Sequence, residues 1–152
     1  MKTHFIRLTK LALLSVGAIL ALSVTSCKED EADGDWDHIV WKSAKYEQTT
    51  VGSDNYYVAA PDGDYFSFSC SNYDVLNLSD VVITEDGETG HYNLNIRNSS
   101  FSNDVCEVKV EGKNVEVRLK YNEGESRKVD VIVSCLDVFD HLKFVQQGVA
   151  KQ

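Results

Sequence analysis

Apolar and polar residues alternate along most of the chain after Trp36, and this period of two is the strongest constraint on its fold. Such alternation places one side of an extended strand against a core and the other side in water. The clearest examples are residues 106–111 and 115–121. Gly112 and Lys113 lie between these runs and form a connection short enough for a tight hairpin, in which glycine can take positive φ. The sequence therefore predicts an antiparallel β-hairpin here.

Other segments follow the same pattern and are separated by turn signals. Residues 129–135 include three adjacent β-branched residues, which predicts a strand buried on both faces for part of its length. Further strands are predicted at 38–42, 56–60, 65–71, 81–84, 92–97 and 142–147. Because no stretch keeps a 3.6-residue apolar period over three turns, we expect an all-β domain over residues 36–152. Its predicted architecture is a β-sandwich of about seven to nine strands in antiparallel sheets.

The first 26 residues have the three parts of an export signal. A basic start at Lys2, Arg7 and Lys10 precedes an apolar run over residues 11–22 and a polar exit of small residues. The apolar run is about 12 residues long, whereas a helix needs about 20 to cross a bilayer core. A cleaved signal peptide over residues 1–26 is therefore favoured over a transmembrane anchor.

Residues 24–27, Val-Thr-Ser-Cys, resemble the lipobox of bacterial lipoproteins. The resemblance implies that a signal peptidase cuts between Ser26 and Cys27 and that the Cys27 thiol carries diacylglycerol. Several acyl chains together hold a protein durably on a membrane. A membrane partner, reached through this lipid anchor, is thus expected. The alternative is that Cys27 is an ordinary residue near a conventional cleavage site.

Residues 27–35 form an acidic tether without an apolar period. Lys28, Glu29 and Asp30 resemble the surface-export signal of Bacteroidetes lipoproteins, in which a lysine and then acidic residues follow the lipidated cysteine. This resemblance implies display on the cell surface from the outer membrane, and the alternative is a lipoprotein that faces the periplasm. Removal of the signal leaves 12 basic and 24 acidic residues, a net charge of −12. Because phosphate backbones repel such a surface, no nucleic-acid partner is expected.

Three cysteines remain in the domain, Cys70, Cys106 and Cys135, and each falls on the apolar side of its predicted strand. All three are predicted to point into the core. An exported chain permits disulfides, but an odd count leaves a thiol unpaired, and three pairings are possible. The preferred pair is Cys70 with Cys135, which would join core strands about 65 residues apart. Three buried free thiols are the alternative.

The sequence contains no recognisable catalytic or metal-binding motif. Gly-x-Ser-x-Gly and the phosphate-loop pattern do not occur, and the histidines of the domain are isolated. Acidic turns at 33–37 and 62–64 could offer oxygens to calcium, although aspartate and glycine are also the residues that tight turns prefer. We expect no enzyme activity, no metal and no cofactor.

The aromatic residues before position 60 are the candidate ligand-binding side chains, namely Trp36, Trp41, Tyr56 and Tyr57. Indole and phenol rings can stay partly exposed and stack on sugar rings. Since Tyr56 and Tyr57 are consecutive in a predicted strand, only one of them can face inward. The alternative is that Trp41 and one of these tyrosines belong to the core.

Two segments, 64–73 and 142–148, resemble the second and last strands of BACON-type domains. These are immunoglobulin-like modules of Bacteroidetes lipoproteins and polysaccharide-use enzymes. The tryptophan usual after the second strand is absent, and residues 73–76, Tyr-Asp-Val-Leu, stand in its place. The resemblance implies an immunoglobulin-like sandwich with a binding or spacer role.

Together these features predict a non-enzymatic, lipid-anchored binding or adhesion module of the cell envelope. Its expected partner is a polysaccharide or another envelope protein. The alternative function is a structural spacer or accessory subunit that contacts another envelope protein.

Overall fold

The structure, a computed structural model, describes residues 37–42, 45–95 and 99–149. The predicted signal peptide, Cys27, the acidic tether and Trp36 lie outside the described residues. Within the described ranges the chain forms strands and turns without an α-helix, and none of these residues belongs to a helix that could span a membrane. The eleven strands are β1 (Trp41–Lys42), β2 (Gln48–Val51), β3 (Asp54–Ala59), β4 (Asp64–Cys70), β5 (Asn77–Glu85), β6 (Glu88–Asn93), β7 (Ser100–Ser102), β8 (Cys106–Glu111), β9 (Asn114–Leu119), β10 (Arg127–Cys135) and β11 (Val138–Gln146).

The strands form two sheets that enclose one core. One sheet has five strands in the order β1-β4-β9-β8-β7, and the other has six in the order β2-β3-β11-β10-β5-β6. Strands β1, β4, β9 and β8 take the places of A, B, E and D in an immunoglobulin domain. Strands β5, β10 and β11 take the places of C, F and G, with β6 added at the edge. The predicted immunoglobulin-like β-sandwich is therefore confirmed.

The prediction of purely antiparallel sheets is wrong for one pair of strands, because β3 runs parallel to β11. The chain passes from β1 in one sheet to β2 and β3 in the other, where β3 lies next to β11, the last strand. Parallel neighbours need a long connection between them. Here the seven strands from β4 to β10 lie between the two partners in the chain, so the connection crosses the whole domain.

The β8–β9 hairpin is confirmed, with Glu111 opposite Asn114 across a two-residue turn. Gly112 has a φ of 58°, the glycine placement of a type II′ turn, whose twist matches that of the strands. Valines of both strands point inward and are buried, whereas the charged residues between them point to solvent.

The core lies where the inward faces of the two sheets meet. Phe66 and Phe144, from opposite sheets, have ring centroids 4.9 Å apart, and both are buried. Burial of an aromatic or aliphatic side chain of this size stabilises the fold by about 1.5–3 kcal/mol. The other buried apolar side chains include Phe68, Leu78, Val81, Val108, Val115, Val117, Leu119, Val129, Val131, Val133 and Leu142.

The structure has more strands than predicted because the additional strands lie at sheet edges. Strands β2 and β7 were not predicted, because their residues are almost all exposed and so have no apolar period. Strand β6 begins at Glu88 instead of residue 92, since Asp86 and Gly87 both adopt positive φ and form a two-residue hairpin turn directly after β5. Strand β11 likewise begins at Val138, earlier than predicted.

A polar network closes one end of the core. Arg127 is 4% exposed, and its Nε donates to Gln146 Oε1 at 2.8 Å. Its Nη2 donates to the Lys120 carbonyl at 2.8 Å. The Gln146 amide in turn donates to the carbonyls of Ala60 and Lys120 at 2.8 and 2.9 Å. These bonds connect β10 and β11 to the segments that follow β3 and β9. They also give partly buried carbonyls the hydrogen-bond donors that they need.

Candidate functional site

The outer face of the five-stranded sheet is the candidate site. Since Phe66 and Phe68 point inward from β4, the residues alternating with them point outward. Tyr65 is opposite Arg118, which is opposite Glu107. The three side chains therefore form one row across β4, β9 and β8. Glu116 and Lys109 face each other in the next row.

Two adjoining depressions make this face concave. The larger has a volume of about 740 Å³ and extends from Tyr65 across the charged rows to residues 99–102 around β7. The smaller, of about 530 Å³, continues toward Asp62 and Tyr121. Both are lined by Tyr65, Glu107 and Arg118, so they form one groove, which we call the sheet groove. Each of the two depressions has a volume within the range of small-molecule sites, about 300–1,000 Å³.

Exposed aromatic rings stand along the sheet groove. Tyr65 and Tyr121 are each 52% exposed, so a large part of each ring is available to a ligand. The pKa of the Tyr65 hydroxyl is raised, first by partial desolvation and then by the nearby Glu116 carboxylate. Tyr65 therefore stays a neutral phenol, able to donate a hydrogen bond.

The charged groups of the sheet groove differ in whether they are already paired. Lys120 Nζ lies 3.1 Å from Glu107 Oε1, and Lys109 Nζ lies 2.8 Å from Glu111 Oε2. This second contact is a hydrogen bond that raises the pKa of Lys109 and lowers that of Glu111. In the part of the chain that the structure describes, the guanidinium of Arg118 has neither an ion-pair partner nor a side-chain hydrogen bond. Arg118 can therefore offer its donors to a ligand.

The aromatic residues predicted as ligand contacts lie elsewhere. Trp41 packs edge-on against Phe68, with ring centroids 5.9 Å apart, and its Nε1 donates to Asp140 Oδ2 at 2.6 Å. Tyr57 packs against Phe68 and other core rings. Trp41 and Tyr57 thus occupy the core-side positions that the alternative interpretation gave them. They are not part of the sheet groove.

Tyr56 faces the other side of β3 and is half-buried. The Lys128 Nζ lies 5.1 Å from the centroid of its ring, a cation–π arrangement on the outer face of the six-stranded sheet. The structure therefore does not bring Tyr56 together with the other aromatic candidates. Trp36 lies outside the described residues, so a ligand-binding role for it stays a prediction.

The three cysteines occupy different surroundings and are free thiols in the structure. Cys70 and Cys106 are fully buried, as predicted. Cys135 is only half-buried, less than predicted, because it is the last residue of β10 and the exposed Leu136 begins the turn after it. Burial raises the pKa of the Cys106 thiol to about 12. The predicted pairing of Cys70 with Cys135 stays a prediction.

Metal ligation has no visible basis in the described ranges, where no three His, Cys, Asp or Glu side chains are grouped to hold an ion. Tyr65 and Arg118 were not among the predicted site residues, because that prediction followed the density of aromatic residues along the chain. The usable signal was the position of Tyr65 on the polar side of a strand whose other aromatic residues, Phe66 and Phe68, alternate with serines.

The fold and the groove define an all-β protein with an immunoglobulin-like sandwich and an open polar and aromatic groove on one sheet. No protein-family model matches the chain, and no curated protein matches it. A solved structure, the NMR structure of a protein from Bacteroides thetaiotaomicron, is similar with a TM-score of 0.60 and 24% sequence identity. The match covers 83% of this chain and 100% of that one. The similarity concerns the fold alone.

Proposed function

We propose that this protein is a non-enzymatic, lipid-anchored module of the outer membrane that binds a glycan in the sheet groove. The observation that carries the proposal is the combination of the exposed Tyr65 ring and the unpaired Arg118 guanidinium on one concave face. Surface display, the BACON-type family and the Bacteroidetes lineage belong to the same proposal. They rest on the sequence resemblances around Cys27 and in residues 64–73 and 142–148.

The chemistry of the sheet groove suits a sugar. A tyrosine ring offers an apolar face to the C–H groups of a pyranose, and its hydroxyl can also donate a hydrogen bond. Arg118 supplies charged donors and Glu116 a charged acceptor for sugar hydroxyls, and hydrogen bonds to charged groups are stronger than neutral ones. Because these groups face water in the empty groove, a bound sugar must replace the hydrogen bonds that they make to water.

Binding without catalysis is the better match for this face. A glycosidase needs one carboxyl group kept protonated near neutral pH, usually by an apolar pocket. The Glu107 side chain is 48% exposed and its Oε1 lies 3.1 Å from Lys120 Nζ, so it does not lie in an apolar pocket. The carboxylates of the sheet groove are therefore better placed to accept hydrogen bonds than to act as general acids.

A role as a spacer or accessory subunit is the second candidate function. It is favoured by the outer face of the six-stranded sheet, where the partly exposed Val58, Val82, Ile132 and Val145 lie among charged residues. Protein interfaces place apolar residues at the centre of the contact and polar or charged residues at its rim. Crosslinking in cells followed by mass spectrometry separates the two functions, because a spacer should give one dominant protein partner through this face.

Tyr65→Ala should weaken glycan binding at least fivefold, since loss of a stacking ring removes about 1 kcal/mol or more. The full-length protein in detergent would be applied to arrays of plant, host and microbial glycans, and titrated against the best one. Phe139→Ala is the matched control, because Phe139 is 59% exposed but lies on the other sheet. Silence across all arrays, or equal losses in both variants, would contradict the proposed site. A loss confined to Tyr56→Ala would instead favour the other sheet.

Cys27→Ala should release the protein from the membrane fraction and abolish incorporation of labelled palmitate, because the variant lacks the thiol that carries the lipid. Cys135→Ser is the matched cysteine control and should stay lipidated. Protease treatment of intact cells then reports orientation, since a periplasm-facing domain survives it. A Cys27→Ala protein that stays as firmly bound as wild type would refute the anchor.

A further inference from the structure

Cys70 and Cys135 come from opposite sheets and lie at the same end of the sandwich. Cys70 is the last residue of β4, and Cys135 is the last residue of β10. Trp41 is the register partner of Cys70, and its Nε1 reaches across the sandwich to Asp140. Asp140 lies on β11, which pairs with β10 near Cys135. The chain thus brings both cysteines to the end where β1 contacts β11.

The pKa shifts of Cys135 and Tyr73 also reflect the proximity of the two thiols. Burial raises the pKa of Cys135, and the nearby Cys70 raises it further. The Tyr73 hydroxyl donates to the Asp37 carbonyl at 2.6 Å. Its pKa is raised by burial and then by Cys135, Asp37 and Cys70. Tyr73 therefore lies in the same region of the sandwich as both cysteines.

The hydrogen bonds around Cys70 are compatible with a disulfide at this position. The S–H group donates to Asn72 Oδ1 at 3.2 Å, but that oxygen also accepts the Val40 N–H at 2.9 Å. The Tyr73 N–H donates to the Cys70 sulfur at 3.3 Å and could equally donate to a disulfide sulfur. If Cys70 were oxidised, Asn72 Oδ1 would keep the Val40 N–H as a donor.

Cys106 lies at the opposite end of the sandwich. It pairs with Leu119, whereas Ser69, the neighbour of Cys70, pairs with Asn114. From residue 114 to residue 119 the strand β9 extends roughly 17 Å at about 3.3 Å per residue. A disulfide requires Cα atoms within about 7 Å. Cys106 is therefore too far away to compete for Cys70.

We propose that Cys70 and Cys135 form a disulfide that joins the two sheets in the exported protein, while Cys106 stays a thiol. The inference rests on export to an oxidising compartment, which belongs to the proposed function, and not on glycan binding. The oxidant is a disulfide-bearing oxidoreductase of the envelope, and oxidised glutathione can replace it in solution.

The reaction proceeds by two thiol–disulfide exchanges. The thiolate of Cys135, the more accessible of the two, attacks the disulfide of the oxidant, forms a mixed disulfide and expels one thiolate. The Cys70 thiolate then attacks the Cys135 sulfur and expels the second thiolate. The two cysteines lose two protons and two electrons in total, and the oxidant ends as two thiols.

Peptide mapping tests the proposal on the full chain purified from membranes in detergent. The protein would be quenched in acid, alkylated with N-ethylmaleimide in denaturant and digested without reduction. We expect the Cys70 and Cys135 peptides to be joined and Cys106 to be alkylated. Alkylation of both Cys70 and Cys135, or any link that includes Cys106, would overturn the proposal. Fully reduced protein treated with oxidised glutathione should form the same single link, and failure to do so would also count against it.

Thermal unfolding provides the second measurement. Reduction of the native disulfide should lower Tm by about 10 °C, because the crosslink closes a long loop. Cys106→Ser is the control and should keep this reductant-dependent shift, whereas Cys135→Ser should lose it. An unchanged shift in Cys135→Ser would refute the pairing. If the protein binds no glycan but shows these results, the disulfide proposal stands and only the proposed ligand is refuted.

Discussion

Replacing Arg127 by alanine should lower the free energy of unfolding by about 3–5 kcal/mol, a large part of the stability of a domain of this size. The guanidinium is almost fully buried and donates to Gln146 and to backbone carbonyls, and its Nη1 lies 3.4 Å from Glu85 Oε1. Alanine would leave the carbonyls of Lys120 and Tyr121 with fewer donors and would also open a cavity.

Urea unfolding at equilibrium measures this loss, with Arg118→Ala as the matched control. Arg118 has the same chemistry but lies on the open face, so its replacement should change stability by about 0.5 kcal/mol or less. Arg127→Lys should recover only part of the loss, because an ammonium lacks the planar fork that reaches several acceptors at once. Equal effects of Arg127→Ala and Arg118→Ala would contradict a structural role for this network.

Gly148→Ala should destabilise the domain by about 3 kcal/mol or more, since added atoms in a packed site force the backbone to move. A Cβ at this position would overlap the carbonyl oxygen of Gly124 and lie 2.8 Å from its carbonyl carbon. The Gly124 loop has little freedom to retreat, because Asn122 Oδ1 accepts its N–H at 3.0 Å. The Asn122 amide also donates to the Gln147 carbonyl at 3.3 Å.

The matched control for this change is Gly52→Ala. Gly52 has a φ of 69° with nothing within 4 Å of an added Cβ, so alanine there should cost only about 1 kcal/mol of conformational strain. Thermal and urea unfolding of the two variants separate close backbone contact from conformational preference. A Gly148→Ala protein as stable as Gly52→Ala would show that the turn at 122–126 moves aside freely.

Strands with one buried face were predictable from the sequence, and strands at the edges were not. In β8 and β9 the core contacts one face of each strand, so selection for burial leaves valines at every second position. In β2 and β6 most side chains remain in water, and the backbone hydrogen bonds of a neighbouring strand hold them in place instead. Backbone pairing leaves little trace in residue type, which is why these strands were missed or misplaced.

The candidate site was likewise only partly predictable from the sequence. Trp41 and Tyr57 are conspicuous in the sequence, yet the crossing from β1 to β3 turns both toward the core. Tyr65 is one aromatic among several in β4, and it becomes a candidate only because β9 and β8 align Arg118 and Glu107 beside it. Residue type limited which side chains could bind a sugar, and strand register decided which of them meet.

By itself, the sequence determined the all-β class, the β8–β9 hairpin and most of the inward-facing residues, because alternation along a strand is a local property with a period of two. Only the tertiary structure decided that β3 runs parallel to β11, that Arg127 meets Gln146, and that Cys70 and Cys135 reach the same end of the sandwich. These relations join residues far apart in the chain. They depend on how two twisted sheets pack face to face, and such packing has no counterpart in the spacing of residues along the sequence.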